Sequence, residues 1–96
     1  MKNIIDVNSV YYTMTEKKRI IDEGKECFGL SDHDKKTIDI LASQEKCFKN
    51  KSKFHEVIEC INFQYQIGLK HHQIELLEYS FYDTIKRNKL WKLFKE

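Results

Sequence analysis

SDHDKKTIDILASQEKCF, residues 31–48, is the stretch whose reading decides the fold. Ser31 followed by Asp34 has the form of a capping box that opens a helix, although Glu or Gln is the usual partner. Asp32 and Asp34 suit the positive end of a helix dipole. Ile38, Leu41, Ala42, Glu45 and Phe48 then recur at helical spacing, with one polar interruption. The stretch therefore reads as a helix from Ser31 to Phe48.

The same period extends outward. Upstream, Ile20, Ile21, Gly24, Cys27 and Phe28 form one stripe of a helix from about Thr15 to Phe28, with Gly29 as its stop. Residues 1–12, with Ile4-Ile5, Val7 and Val10-Tyr11-Tyr12, fit either a strand or an early helix. A lone strand has no partner, so an ordered arm or short extra helix is expected. Downstream, Lys49-Asn50-Lys51 reads as a loop and Ser52 as the cap of a helix through Ile67. Phe54, Val57, Ile58, Ile61 and Tyr65 make one stripe, and Cys60, Phe63 and Ile67 a second beside it, which predicts a well-buried helix with Phe63 inside. Gly68 ends it. Ile74, Leu77, Phe81 and Ile85 face inward from a last helix over Lys70 to Phe94. The expected fold is all-α: one domain over residues 1–96, a compact four-helix bundle or orthogonal array.

Composition agrees with that reading. The 96 residues include three Gly and no Pro, few breakers for an all-β chain. Lys-, Ile-, Asn- and Tyr-rich usage is the mark of an AT-rich genome, such as that of a low-GC bacterium, a phage or a virus. A net charge of +2 is too small to imply a nucleic-acid footprint by itself. Cys27, Cys47 and Cys60 form no C-x-x-C pair and read as free thiols in a reducing compartment. No apolar run approaches the ~20 residues that span a bilayer. The expected location is the cytoplasm, or a host's cytosol, without membrane insertion.

No catalytic motif is complete. The nearest is His55-Glu56-Val57-Ile58-Glu59, which has the first His and the Glu of a zinc-protease helix, but Glu59 stands where the second His closes the chelate. His55 and Glu59 can share a metal, yet no third ligand is evident, so the segment reads as a polar helix face. None of the four histidines follows a Glu by three residues, which excludes the carboxylate di-metal pattern of helical bundles. The three cysteines with His71 or His72 lack the close ligand pairs of a zinc site. The expectation is no enzyme, no cofactor and no metal.

Two binding patterns remain. The basic amphipathic stretch from Lys86 to Phe94 has the character of a partner-binding surface, with Lys86, Arg87, Lys89, Trp91, Lys92 and Phe94 as contacts and Tyr79 and Tyr82 as aromatic anchors. Taking Cys60 as the first position of a helix-turn-helix puts Phe63, Ile67 and the turn glycine Gly68 in place. Lys70, His71, His72 and Gln73 then start a DNA-reading helix. Gln64 at the tight packing position, and Glu75 and Glu78 beside the reading face, oppose it. The expected function is a non-enzymatic regulator or inhibitor that binds another protein, encoded by a phage, virus or mobile element. The alternatives are a DNA-binding protein and a structural homo-oligomer or homodimer.

Overall fold

A computed structural model describes residues 2–90 and 92 and overturns the all-α reading. The chain is α/β. Strands β1 (Lys2–Val7), β2 (Val10–Lys17), β3 (Ile21–Asp22), β4 (Lys25–Glu26), β5 (Gly29–Asp32) and β6 (Thr37–Leu41) precede helices α1 (Lys46–Tyr65) and α2 (His71–Asn88). Four strands form a mixed sheet in the order β1-β2-β6-β5, in which β2 and β6 run parallel and the other neighbours antiparallel. The β3-β4 hairpin stands apart as a two-stranded ribbon.

The local reasons are legible after the fact. In β6, Ile38 and Ile40 are fully buried while Thr37, Asp39 and Leu41 are half-buried, a period of two. Ile38 and Leu41 also stand three apart, so this short apolar run satisfies both periods, and the fold uses the strand period. In β2, Tyr12 and Met14 alternate into the core, among the aromatic and β-branched residues that favour strands. The partner missing for residues 1–12 is β2 itself: the pair Ile5↔Tyr12 lies within one hairpin. Its turn, Asn8-Ser9, has positive φ at both residues, the two-residue form whose twist matches the strands. Gly24 is not on a helix stripe but in the β3-β4 turn at φ +78. Ser31 and Asp34 cap no helix. The Asp32 carboxylate instead accepts the backbone N–H groups of Asp34 and Lys35, each at 3.0 Å, and shapes the β5-β6 turn.

Helix α1 lies between the sheet and α2. Its Cys60 joins Val7, Tyr12, Met14, Ile38 and Ile40 in the buried core, with Ile61 packed beside them. Ile74 of α2 is 1% exposed. The expected loop at 49–51 is inside α1, and Ser52 is no cap: its hydroxyl donates to Gln44 at 2.8 Å. Phe63, expected inside, is 52% exposed, and Tyr65 and Ile67 are exposed too. Among the described residues, no helix is long and apolar enough to cross a membrane.

These packing differences can be tested by one pair of variants. Ile40→Asp places an unpaired carboxylate in the sheet's core and costs several kcal/mol, enough to unfold a domain of ordinary stability of about 5–15 kcal/mol. Phe63→Asp leaves the domain folded. Circular dichroism and urea titration of both would refute this arrangement if Phe63→Asp were the variant that unfolds.

Candidate metal centre

Helix periodicity places His55 and Glu59 one turn apart on α1, with Glu56 next to the first. The fold then adds a residue distant in sequence. Gln66 ends α1 in the left-handed conformation, and the chain turns back through a short connection. The Asn62 side chain clamps that connection at both poles of Leu69, accepting its N–H at 2.9 Å and donating to its carbonyl at 3.2 Å. Lys70 donates its backbone N–H to the Gln73 side chain at 2.8 Å, which opens α2 with His71 as the first helical residue. His71 thereby meets His55, with ring centroids 5.3 Å apart. One ligand atom each from His55, Glu59 and His71 lies within 4.8 Å of the others.

Donors shared by one zinc-sized ion at about 2.0–2.1 Å stand roughly 3.3–3.4 Å apart. His55 Nε2 and Glu59 Oε2, at 3.6 Å, are close to that spacing already. The set is two imidazoles and one carboxylate, the composition of catalytic zinc sites that keep a fourth position open. The order along the chain is permuted: the carboxylate occupies the helix position that the motif reserves for its second His, and α2 supplies the second imidazole. The donor chemistry is unchanged.

Neighbours orient the ligands. His55 Nδ1 donates to Glu78 Oε1 at 2.7 Å, which turns Nε2 toward Glu59. His71 Nε2 pairs with Glu75 Oε1 at 2.6 Å. The His55 side chain is 12% exposed and that of Glu59 32%, whereas that of His71 is 70% exposed, so the cluster opens to solvent on the α2 side. Burial works to lower the His55 pKa, but the hydrogen bonds to Glu59 and Glu78 outweigh it and raise the value to about 9. Glu59 is held below the usual carboxylate range, first by its hydrogen bond with His55.

Glu56 is 6% exposed, the other buried acid besides Glu78 among the described residues. Burial pushes its pKa upward, while the Ser31 hydroxyl, donating at 2.7 Å, draws it down. Gly29 of β5 makes the room: a Cβ there would stand 2.8 Å from Glu56 Oε2, so the residue expected as a helix stop is a cradle for this carboxylate. A cavity of about 290 Å³ lies between β5 and α1 and is bordered by His55, Glu56, Glu59 and His71. A larger one, of about 690 Å³, adjoins it on the side of Phe28, Phe48 and Tyr79.

The other residues singled out from sequence do not gather. Cys60 is buried in the core, Cys27 is half-buried and Cys47 exposed. Lys70, His72 and Gln73 are exposed, and Gln64, instead of facing α2, donates to the Val7 carbonyl at 2.6 Å. The Lys51 ammonium sits over the Tyr79 ring at 4.5 Å and farther from the Tyr82 ring, at 5.7 Å. Lys86, Arg87, Lys89 and Lys92 are exposed at the end of α2 and beyond it, while Trp91 and Phe94 lie outside the described residues. No protein family, no curated protein and no solved structure matches this chain.

The His55 environment has a pH signature in the metal-free chain. Its folded pKa of about 9 lies above the ordinary 6.5, so the stabilisation is complete below 6.5 and fades as pH rises through 9. Chelator-treated protein should lose stability across that window, and Glu78→Gln should shift the loss to lower pH. An imidazole that titrates near its ordinary value by NMR would refute the assigned pairing.

Proposed function

We propose that this chain is a metal-dependent hydrolase of the zinc class, with His55, Glu59 and His71 as ligands and Glu56 as the general base. The observation that carries the reading is the convergence of His71 on the His55–Glu59 pair beside a buried glutamate. A bound ion of this class supplies a polarising charge and acidifies water. The residues of the chain do the rest. Glu56 accepts a proton from the attacking water and returns it to the leaving group as the scissile amide or ester bond breaks. A carboxylate with an elevated pKa is suited to both transfers near neutral pH. The Ser31 hydroxyl and the space at Gly29 hold it in place.

A second reading, a regulator or inhibitor that binds another protein, is favoured by a different observation. Leu76, Tyr79 and Phe81 of α2 are 64%, 47% and 50% exposed, apolar surface left open to a partner. The two readings occupy separate residues.

Cobalt or zinc titration followed by elemental analysis should give one ion per chain. His71→Ala should weaken binding by about 10-fold or more, and Glu78→Gln, which only orients His55, by about 10–100-fold. Glu56→Gln should keep the ion and lose turnover of a quenched peptide or ester library by about 100-fold or more. A parent chain that takes up no ion after refolding in the presence of zinc would end the hydrolase reading.

A further inference from the structure

The wall of the small cavity opposite α1 carries a group that the ligand set does not use. His33 stands in the β5-β6 turn and borders the same cavity as His55, Glu59 and His71. It is held from several sides. Its ring stacks on Phe63 with centroids 4.1 Å apart and planes within 6°. Its Nδ1 lies 3.1 Å from the Tyr12 hydroxyl, and the Tyr12 ring meets it edge-on. The Lys36 ammonium donates to its backbone carbonyl and so closes the turn. Tyr12 is 1% exposed and rooted in the sheet's core, so this contact ties the imidazole to that core.

Burial, first, and the neighbouring Cys60 push the Tyr12 phenol up to about 12, so it keeps its proton and has an O–H to give. When that O–H is given to Nδ1 of His33, the neutral ring carries its own proton on Nε2, the opposite nitrogen. His33 is not among the residues whose ligand atoms cluster, although it borders the cavity they share.

We propose that His33 is the substrate-oxygen donor of this site: Nε2–H hydrogen-bonds the anionic oxygen of a ligand bound at the His55–Glu59–His71 centre. The ligand class is a carbonyl compound whose oxygen gains negative charge, mimicked at rest by a hydroxamate. The proposal rests on the metal-centre reading. It also explains why an exposed Phe63 is placed where it is: the ring is a platform that keeps the imidazole upright at the cavity wall.

The test uses the cobalt-loaded chain and acetohydroxamate, followed by the visible absorption of the ion. His33→Phe preserves the stack on Phe63 and deletes the donor. Cobalt affinity should be unchanged, and acetohydroxamate should bind about 10-fold or more weakly. Hydroxamate affinity equal to that of the parent chain would overturn the proposal. So would a loss of cobalt affinity, which would make His33 a ligand. If His33→Phe does not fold, the unmodified chain decides by NMR: the His33 Nε2–H resonance must move on adding acetohydroxamate, and a still resonance refutes the role. Failure of the parent chain to bind cobalt is a separate result, and it removes the centre and the role of His33 together.

Discussion

The seating of α1 on the apolar face of the sheet is the contact on which the rest depends. Ile38 and Ile40 on β6, with Tyr12 and Met14 on β2, present a patch that Cys60 and Ile61 cover. Burial of such side chains contributes about 1.5–3 kcal/mol each, the largest favourable term a domain of this size has. Because the helix rotates by a fixed angle per residue, seating Cys60 also aims Glu56, one turn earlier, at the edge strand β5. His55 and Glu59 come to lie toward α2. Side-chain bonds hold the register at both ends of the helix: Lys49 pairs with Glu16 at 2.9 Å, and Gln64 binds the Val7 carbonyl.

The apolar contact then supports an arrangement that is costly taken alone. Glu56 and Glu78 are buried acids, and each would cost several kcal/mol without partners. Ser31 partners the first and His55 the second. Among the described residues no buried side-chain polar atom lacks a partner, so the cluster is fully satisfied. A small domain has little stability to spare, and apolar residues of similar volume would serve packing as well. Perturbed acids and an imidazole gathered beside a cavity are the usual physical mark of a working site.

The legible and illegible parts of the chain divide by range. The period of 3.6 was readable in the two segments that are helices, with errors at their ends: α1 starts six residues before Ser52. Residues 21–41 read as helix because their strands of two to five residues offer too few positions to separate the two periods. Gly24 also fits a helix stripe, and Gly29 a helix stop, when their neighbours in space are unknown. The stripe containing Phe63 was assigned to the core because a ring at helical spacing is usually buried. Here it stacks on an imidazole at a cavity wall.

By itself the sequence determined the pairing of His55 with Glu59, since one helical turn is a local property. It also determined the absence of an apolar segment of membrane-spanning length. Only the tertiary structure decided that the first half is sheet, because strand pairing joins residues such as Thr13 and Thr37 that no local pattern connects. It alone decided, too, that His71 stands beside the His55–Glu59 pair. The eleven residues between Glu59 and His71 must reverse direction through a clamp at Asn62 and Leu69, and the outcome depends on how α2 packs against α1. Helical spacing is set within a turn, whereas convergence of two helices is set by the packing of the whole domain.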